Sequence, residues 1–263
     1  MPTPRLWDRR SAIKAALVAA PGVGLAARVF ADERQPPDIP SRNRAPRTLA
    51  ARNSAIDLGP DVCVLTCEQT LGPCYYDQTA VRRDITEGKA GLPTSLGFLV
   101  LDADTCAPIE SASIDIWHAD PTGVYSAPIN PMCNANDAAA RSQTFLRGVQ
   151  LTGSNGWAYF DTVYPGWYSG RTTHIHATVR LDGAEAVTTQ FYFADELSTH
   201  IYTTNANYAP RGDKDTPNAS DNVIGGSTSR VAPYTFATNL VLESSLVALK
   251  AIAVRRSGAN CAA

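Results

Sequence analysis

Residues 144–168 read TFLRGVQLTGSNGWAYFDTVYPGWY, and this stretch decides the fold that the sequence predicts. Two runs rich in apolar and aromatic residues, 145–151 and 157–163, are separated by a turn-forming Ser-Asn-Gly triplet. A Pro-Gly pair follows the second run. Short runs bounded by turn residues are typical of β-strands, so the stretch predicts strand, turn, strand and turn.

The segments on either side repeat this pattern. An apolar run at 95–108 closes on an Asp-containing turn, residues 111–123 alternate in polarity, and residues 172–196 read as strand, Asp-Gly turn and strand. The tail 246–256 fits a strand better than a helix in this setting. No long amphipathic helix stands out. We therefore predict an all-β chain, an immunoglobulin- or prealbumin-like β-sandwich whose long loops form the functional site.

One connection stands out by its length. Residues 127–143, APINPMCNANDAAARSQ, carry no strand pattern and read as a loop. A loop this long inside a compact domain is more often functional than accidental.

Composition excludes few function classes. The chain has 263 residues, of which 44% are hydrophobic and 18% charged, with 23 basic against 25 acidic residues and a formal charge of −2. That is an ordinary globular balance. It creates no strong field for nucleic acid or an anionic membrane, so we expect neither as a partner.

The N-terminal residues read as an export signal. Arg9-Arg10 precede a short apolar run, and small residues end the segment at 31, so residues 1–31 predict a signal peptide of the twin-arginine type. A general secretion signal with a chance arginine pair is the alternative. Either way we expect an exported protein, periplasmic or extracellular. Residues 32–59 then read as a linker or mobile arm, 60–256 as the β-sandwich domain and 257–263 as a tail.

Six cysteines lie beyond the predicted signal: Cys63, Cys67, Cys74, Cys106, Cys133 and Cys261. An even number in an exported chain indicates disulfides, and the 15 possible pairings of six stay open. None neighbours a histidine in the sequence, so we do not expect a thiolate metal site.

Chemistry-bearing residues gather in GWYSGRTTHIHATVR, residues 166–180. His174 and His176 are separated by one residue, which on a strand puts both imidazoles on the same face. Two such imidazoles make half of a metal site. The alternative is a pair of partly exposed surface histidines. Tyr168 and Tyr125 both follow turns and are candidate phenolate ligands, or else half-buried aromatics with hydrogen-bonded hydroxyls.

A family resemblance rests on four segments: 72–76 (GPCYY), 100–126, 145–180 and 188–193 (TTQFYF). They combine G-x-Y, P-G-x-Y, R-x-x-H-x-H and a Gln fourteen residues after the last His. In this combination the chain resembles the intradiol ring-cleavage dioxygenases, the protocatechuate 3,4-dioxygenase and catechol 1,2-dioxygenase-like family. It looks most similar to the exported, single-domain members.

The resemblance implies a non-haem Fe(III) site and a role for each matching residue. The implied metal ligands are Tyr125, Tyr168, His174 and His176, with Tyr168 as the tyrosinate that leaves iron when substrate binds. Arg171 and Gln190 are the implied active-site arginine and glutamine, and Tyr168 is implied to act in catalysis as well. Gly72, Pro73 and Tyr76 match a segment that borders the substrate pocket, although Cys74 interrupts the usual GPYY. For Arg171 to face the site, the histidine strand must begin near Thr172 or Thr173.

The implied reaction inserts both atoms of O2 between the hydroxyl-bearing carbons of a catechol and gives a cis,cis-muconate-type diacid. The implied partners are therefore a small catechol and O2, with no membrane span. The oligomeric state, monomer or homodimer, stays open.

Two other functions remain alternatives. A non-catalytic prealbumin-like binding module would share the sandwich and the Pro-Gly-x-Tyr turn, but such modules lack R-x-x-H-x-H and the later Gln. A zinc hydrolase would keep the site with another metal, yet zinc sites use His, Cys and carboxylates rather than two tyrosines. We expect His118 to be packed in the domain or to lie behind the site residues without binding the metal, and His200 to be structural or at the surface.

Overall fold

The computed structural model describes residues 56–77, 80–258 and 261. These residues belong to one compact unit, Asn53–Ala263. The predicted signal peptide and most of the predicted arm lie outside the described residues, so these assignments and the domain bounds stay predictions. Within the described part of the chain, no helix has the length and apolar character needed to cross a membrane.

Eight strands form two four-stranded sheets, with the orders β4-β1-β8-β7 and β3-β2-β5-β6. All neighbouring strands are antiparallel except β1 and β8, which are parallel. The strands are β1 (Pro93–Asp102), β2 (Ser113–Trp117), β3 (Arg147–Leu151), β4 (Trp157–Val163), β5 (His174–Leu181), β6 (Ala184–Tyr192), β7 (Ala237–Val241) and β8 (Ser245–Val254). The described chain is thus mostly β, as the sequence predicts. The strand predicted within residues 246–256 is the greater part of β8.

Helices are short and lie in the connections. They are α1 (Ala138–Arg141), α2 (Asp195–Thr204), α3 (Thr228–Val231) and the 3-10 helices Pro131–Asn134, Asn218–Ser220 and Ala232–Tyr234. The sequence pattern does not predict α2, whose ten residues bury only three side chains. The predicted loop 127–143 contains a 3-10 helix and α1, each begun by a side-chain cap from Asn130 or Asp137.

A common apolar core joins the two sheets. One cluster of buried side chains includes members of β1, β4 and β8 as well as β2, β5 and β6. The rings of Phe98 on β1 and Phe191 on β6 have centroids 5.9 Å apart, which places the inner faces of the two sheets in contact. Burial of each large apolar side chain stabilises such a core by about 1.5–3 kcal/mol. The more specific immunoglobulin or prealbumin type stays a prediction.

Residues 144–168 form two strands as predicted, but these strands do not pair with each other. β3 and β4 belong to different sheets, so the Ser-Asn-Gly turn carries the chain across the core. Gly156 has a φ of +78°, and a Cβ there would lie 2.8 Å from Val100 O and from Pro108 Cβ. Only glycine fits this crossing. By contrast, β5 and β6 form a hairpin whose turn residues Asp182 and Gly183 both have positive φ.

Candidate active site

The two histidines stand side by side at the start of β5. His174 is 3% exposed and His176 2%, and their ring centroids are 4.9 Å apart. β5 is an inner strand of its sheet, flanked by Trp117 of β2 and Gln190 of β6 at the level of His176. The His176 imidazole also stacks on the Trp117 ring at 4.8 Å. A central strand therefore holds both imidazoles on one face, as the sequence predicts.

Tyr168 lies two residues after the Pro-Gly pair and contacts His174. Its hydroxyl oxygen lies 3.1 Å from His174 Nε2. The turn packs closely on the 120–123 turn, because a Cβ on Gly166 would lie 2.3 Å from Asp120 O. The Tyr202 hydroxyl on α2 donates to Pro165 O at 2.9 Å and fixes the turn from the other side.

Tyr125 reaches the same atom from a second turn. Its hydroxyl lies 3.4 Å from His174 Nε2, and its ring centroid is 5.9 Å from that of Tyr168. The turn before it is closed by Asp120 Oδ1, which accepts from Val124 N at 3.1 Å. The structure thus brings together the four side chains that the resemblance implies as metal ligands, from one strand and two turns.

Burial sets the protonation of these groups. It lowers the pKa values of His174 and His176, so both imidazoles are neutral near pH 7. His174 Nδ1 lies 2.6 Å from Thr172 O and must carry the proton there, which leaves the Nε2 lone pair facing the two tyrosines. Burial raises the pKa values of Tyr125 and Tyr168.

This donor set fits a hard cation of high charge. Two neutral imidazoles and two phenols converge in a buried place, and a bound cation would offset the cost of ionising the phenols there. Within the described residues, no three His, Cys, Asp or Glu side chains form a group that could hold a metal ion. A metal site at this position therefore depends on the tyrosine oxygens.

Arg171 lies beside the four groups rather than among the strand residues. β5 begins at His174, so Arg171 stays in the preceding turn, as the sequence predicts. Its Nη1 lies 3.5 Å from the Tyr168 hydroxyl and its Nη2 donates to Gln190 Oε1 at 2.5 Å. Asp221 accepts from Arg171 Nε at 2.8 Å, and its side chain is fully buried. Asp221 also accepts from the backbone N–H of Thr172 at 3.0 Å, so it orients the turn.

A cavity of about 460 Å³ opens beside the cluster. Its walls include both tyrosines, His176 and Arg171, together with Gly72 and Pro73 of the GPCYY segment. Gly72 packs on the His176 ring, since an added Cβ would lie 3.3 Å from His176 Cε1. The predicted substrate contacts at 72 and 73 thus border this space.

Two other residues of the predicted substrate set lie outside the walls. Gln190 is fully buried and touches Arg171 rather than the cavity. Tyr76 does not line the cavity either. Its neighbour Tyr75 packs on Trp117 at 4.8 Å and hydrogen bonds to Asp115, outside the cavity.

A disulfide forms part of the cavity wall. Cys74 pairs with Cys133, and both line the cavity. The other pairs are Cys63–Cys106 and Cys67–Cys261, so none of the six cysteines is free. Cys74, the residue that interrupts GPYY, therefore links the 72–76 segment covalently to the long 127–143 connection.

Arg147 supports the same wall from the side that faces away from the cavity. It is 1% exposed, and its guanidinium donates to Cys74 O and Ser126 O, each at 2.8 Å, and to Ser126 Oγ at 3.0 Å. It also lies 5.8 Å from the centre of the Tyr125 ring. Arg147 thereby links the disulfide-bonded Cys74 to Ser126, the residue after Tyr125.

The remaining histidines lie apart from the cluster. His118 is fully buried, with Nδ1 2.9 Å from Ala119 O and Nε2 2.8 Å from Thr162 Oγ1, which agrees with the packed histidine that the sequence predicts. His200 lies at the surface beside Glu243.

The sequence reasoning missed three residues that build the site: Asp221, Arg147 and Tyr202. Their contacts to the site residues are made across long sequence separations. An Arg inside an apolar strand was the one available signal, because such a residue needs buried partners.

Comparisons with known proteins identify relatives of this chain. No family model matches the chain. Catechol 1,2-dioxygenase 1 of Acinetobacter lwoffii is 26% identical over 142 residues, covering 46% of this chain and 43% of that protein. A chlorocatechol 1,2-dioxygenase of Pseudomonas putida is 29% identical over 114 residues, covering 35% and 38%. The match thus spans less than half the length of each of these curated relatives.

Solved structures give a broader match. An intradiol ring-cleavage dioxygenase from Tetranychus urticae superposes with a TM-score of 0.64 at 27% identity, covering 73% of this chain and 95% of that one. Hydroxyquinol 1,2-dioxygenase from Pseudomonas putida DLL-E4 shares the fold, with a TM-score of 0.51 at 16% identity, covering 79% and 70%. The neighbours of this chain in sequence and in structure are therefore intradiol ring-cleavage dioxygenases, which confirms the resemblance recognised in the sequence.

Proposed function

We propose that this protein is a non-haem Fe(III) intradiol dioxygenase, which inserts both atoms of O2 between the hydroxyl-bearing carbons of a catechol and releases a cis,cis-muconate-type diacid. The observation that carries the proposal is the convergence of Tyr125 and Tyr168 on Nε2 of His174, at the wall of a cavity that also contains Arg171. The names of the relatives support the same reaction class.

Iron would be held by Tyr125, Tyr168, His174 and His176. Phenolate oxygen is a hard, anionic donor that favours the ferric state, and imidazole suits iron as well. When bound, ferric iron would chelate the catechol and make its ring receptive to O2. His174 presents Nε2 because Thr172 O fixes its Nδ1 proton, and that hydrogen bond orients the ring.

Tyr168 and Arg171 would act on the substrate. The Tyr168 oxygen borders the cavity and is the base that would take a proton from a catechol hydroxyl. The Arg171 guanidinium is held beside that oxygen and would stabilise negative charge that develops on the ring. Gln190 and Asp221 keep the guanidinium in place.

Burial within the sheet protects this geometry. The ligands arise from an inner strand and two turns that are packed on one another, and such rigid support holds donor atoms to a fraction of an ångström. Three disulfides on the connections support a place in an oxidising, exported compartment.

Oxygen uptake with labelled O2 tests the proposal. Iron-loaded protein and catechol are expected to consume one O2 per catechol and to give muconate that carries both labelled atoms. Metal-depleted protein and free ferric ion serve as controls. A ring-cleavage product opened outside the two hydroxyl-bearing carbons would contradict the intradiol reaction. Catechol binding without any oxygen uptake would favour the binding-module alternative.

A further inference from the structure

The one cationic side chain that lines the described part of the candidate substrate cavity is paired with a buried carboxylate. Among the described residues that line it, Arg171 is the one charged side chain. Asp221 lies against that guanidinium at 2.8 Å, and Asp221 is fully buried. The pair carries no net charge, so Arg171 attracts an anionic substituent less than an unpaired arginine would.

Three of the five N–H groups of Arg171 already have partners. Nε donates to Asp221, Nη2 to Gln190 and Nη1 to the Tyr168 hydroxyl. A ring carboxylate would therefore share the guanidinium with three existing partners.

Other cations near the cavity are turned to different partners. Arg147 donates to carbonyl oxygens behind the cavity wall and is 1% exposed. Arg211 donates to Trp167 O, and its guanidinium lies 4.3 Å from the centre of the Trp167 ring. Neither of them lines the cavity.

Much of the remaining wall is apolar. It includes Pro73, Val223, the Cys74–Cys133 disulfide and Met132. Met132 is 73% exposed. Its backbone is nevertheless fixed, because Met132 lies in the 3-10 helix Pro131–Asn134 and precedes the disulfide-bonded Cys133. A large apolar side chain fixed at the rim of a cavity is suited to contact an apolar group on a ligand.

We infer that this site selects uncharged catechols, with a small apolar ring substituent lying against Met132 and the disulfide, and disfavours catechols with a ring carboxylate. The inference rests on the proposed function and names its substrate class. A carboxylate in this cavity would lose hydration without gaining a cationic side chain that is free of a counter-charge, whereas a methyl or halogen substituent would gain apolar contact.

A matched substrate pair provides the test. With iron-loaded protein, kcat/KM for 4-methylcatechol is expected to exceed that for protocatechuate by at least ~10-fold, since the second carries an unpaired charge at the same ring position. Equal or faster cleavage of protocatechuate would overturn the inference and leave the proposed function intact. Cleavage of neither compound would instead contradict the proposed function, and the inference with it.

Variants then locate the substituent. Met132→Lys supplies a cation at the rim and is expected to shift the ratio of the two kcat/KM values at least ~10-fold toward protocatechuate. Met132→Gln removes apolar contact without adding charge, and Leu242→Lys adds a charge in the exposed turn after β7. Both controls are expected to shift that ratio far less than Met132→Lys does. A Met132→Lys ratio equal to that of Leu242→Lys would overturn the placement of the substituent.

Discussion

The hydroxyl oxygen of Tyr168 lies 3.1 Å from Nε2 of His174, although one residue belongs to a turn and the other to a strand. The Ser169-Gly170 turn, in which the Arg171 N–H donates to Tyr168 O at 3.2 Å, folds the chain back. It brings two side chains that are six residues apart in sequence within hydrogen-bond distance. Because His174 Nδ1 is engaged by Thr172 O, this contact is made by the nitrogen that is free to bind a metal ion.

Removal of this hydroxyl should abolish most of the activity. Tyr168→Phe is expected to lower kcat/KM for catechol by at least ~100-fold, since it would delete both the proposed metal donor and the proposed base. Steady-state oxygen uptake measures the change. Tyr159→Phe on β4, outside the cavity, is the matched control and should retain activity. Unaltered turnover by Tyr168→Phe would count strongly against the assigned ligand set.

Removal of the buried Asp221 carboxylate that holds Arg171 should lower both the turnover and the stability of the protein. Asp221→Asn leaves a buried guanidinium without its counter-charge, so we expect kcat to fall at least ~10-fold and stability to fall by about 3 kcal/mol. Kinetics and urea unfolding of the same preparation measure both. The half-exposed pair Arg83–Asp161 provides the control. Asp161→Asn should cost no more than ~1 kcal/mol, and an equal loss in both variants would refute the special role of Asp221.

The Cys74–Cys133 bridge should stabilise the domain and shape the cavity. Cys74→Ser and Cys133→Ser are each expected to lower the free energy of unfolding by about 2–4 kcal/mol and to raise KM for catechol. The double variant should equal either single variant, because all three lack the same bond. Additive losses in the double variant would show that the two sulfurs act independently.

Acid should destabilise the protein through His118. Burial lowers the pKa of His118 to about 4, below the value near 6.5 of an unfolded histidine. Between pH 6.5 and about 4 the unfolded state therefore binds one more proton than the folded state. This residue should remove about 1.4 kcal/mol of stability per pH unit as pH falls through that window, and nothing above it.

The comparison of wild type with His118→Gln isolates this effect. Urea unfolding across the window should give a shallower pH dependence for the variant by up to one proton, because other buried histidines contribute equally to both proteins. Parallel pH profiles would show that His118 does not titrate as its burial requires.

Local pattern was enough to predict the all-β character and the β5–β6 hairpin, and motif resemblance pointed to the four side chains that the structure brings together. Each depends on period-two alternation, on turn residues or on a short motif within one stretch of chain. The crossing of the Ser-Asn-Gly turn between sheets was not predictable in this way, because strand and turn signals do not say which strands pair.

Long-range partners explain the rest of what the sequence did not predict. Asp221 reaches Arg171 across 50 residues, and Cys74 reaches Cys133 across 59. No periodicity links such positions, and six cysteines allow 15 pairings on spacing alone. The helix α2 escaped prediction because its apolar stripe is narrow and no side chain caps its start.

A visible absorption spectrum of purified, metal-analysed protein tests the central claim most directly, first alone and then with catechol under anaerobic conditions. The account predicts about one iron per chain, a red-brown tyrosinate-to-Fe(III) band, and a shift of that band when catechol binds. A protein that stays colourless after iron reconstitution, or a band that persists unchanged in both Tyr125→Phe and Tyr168→Phe, would contradict it.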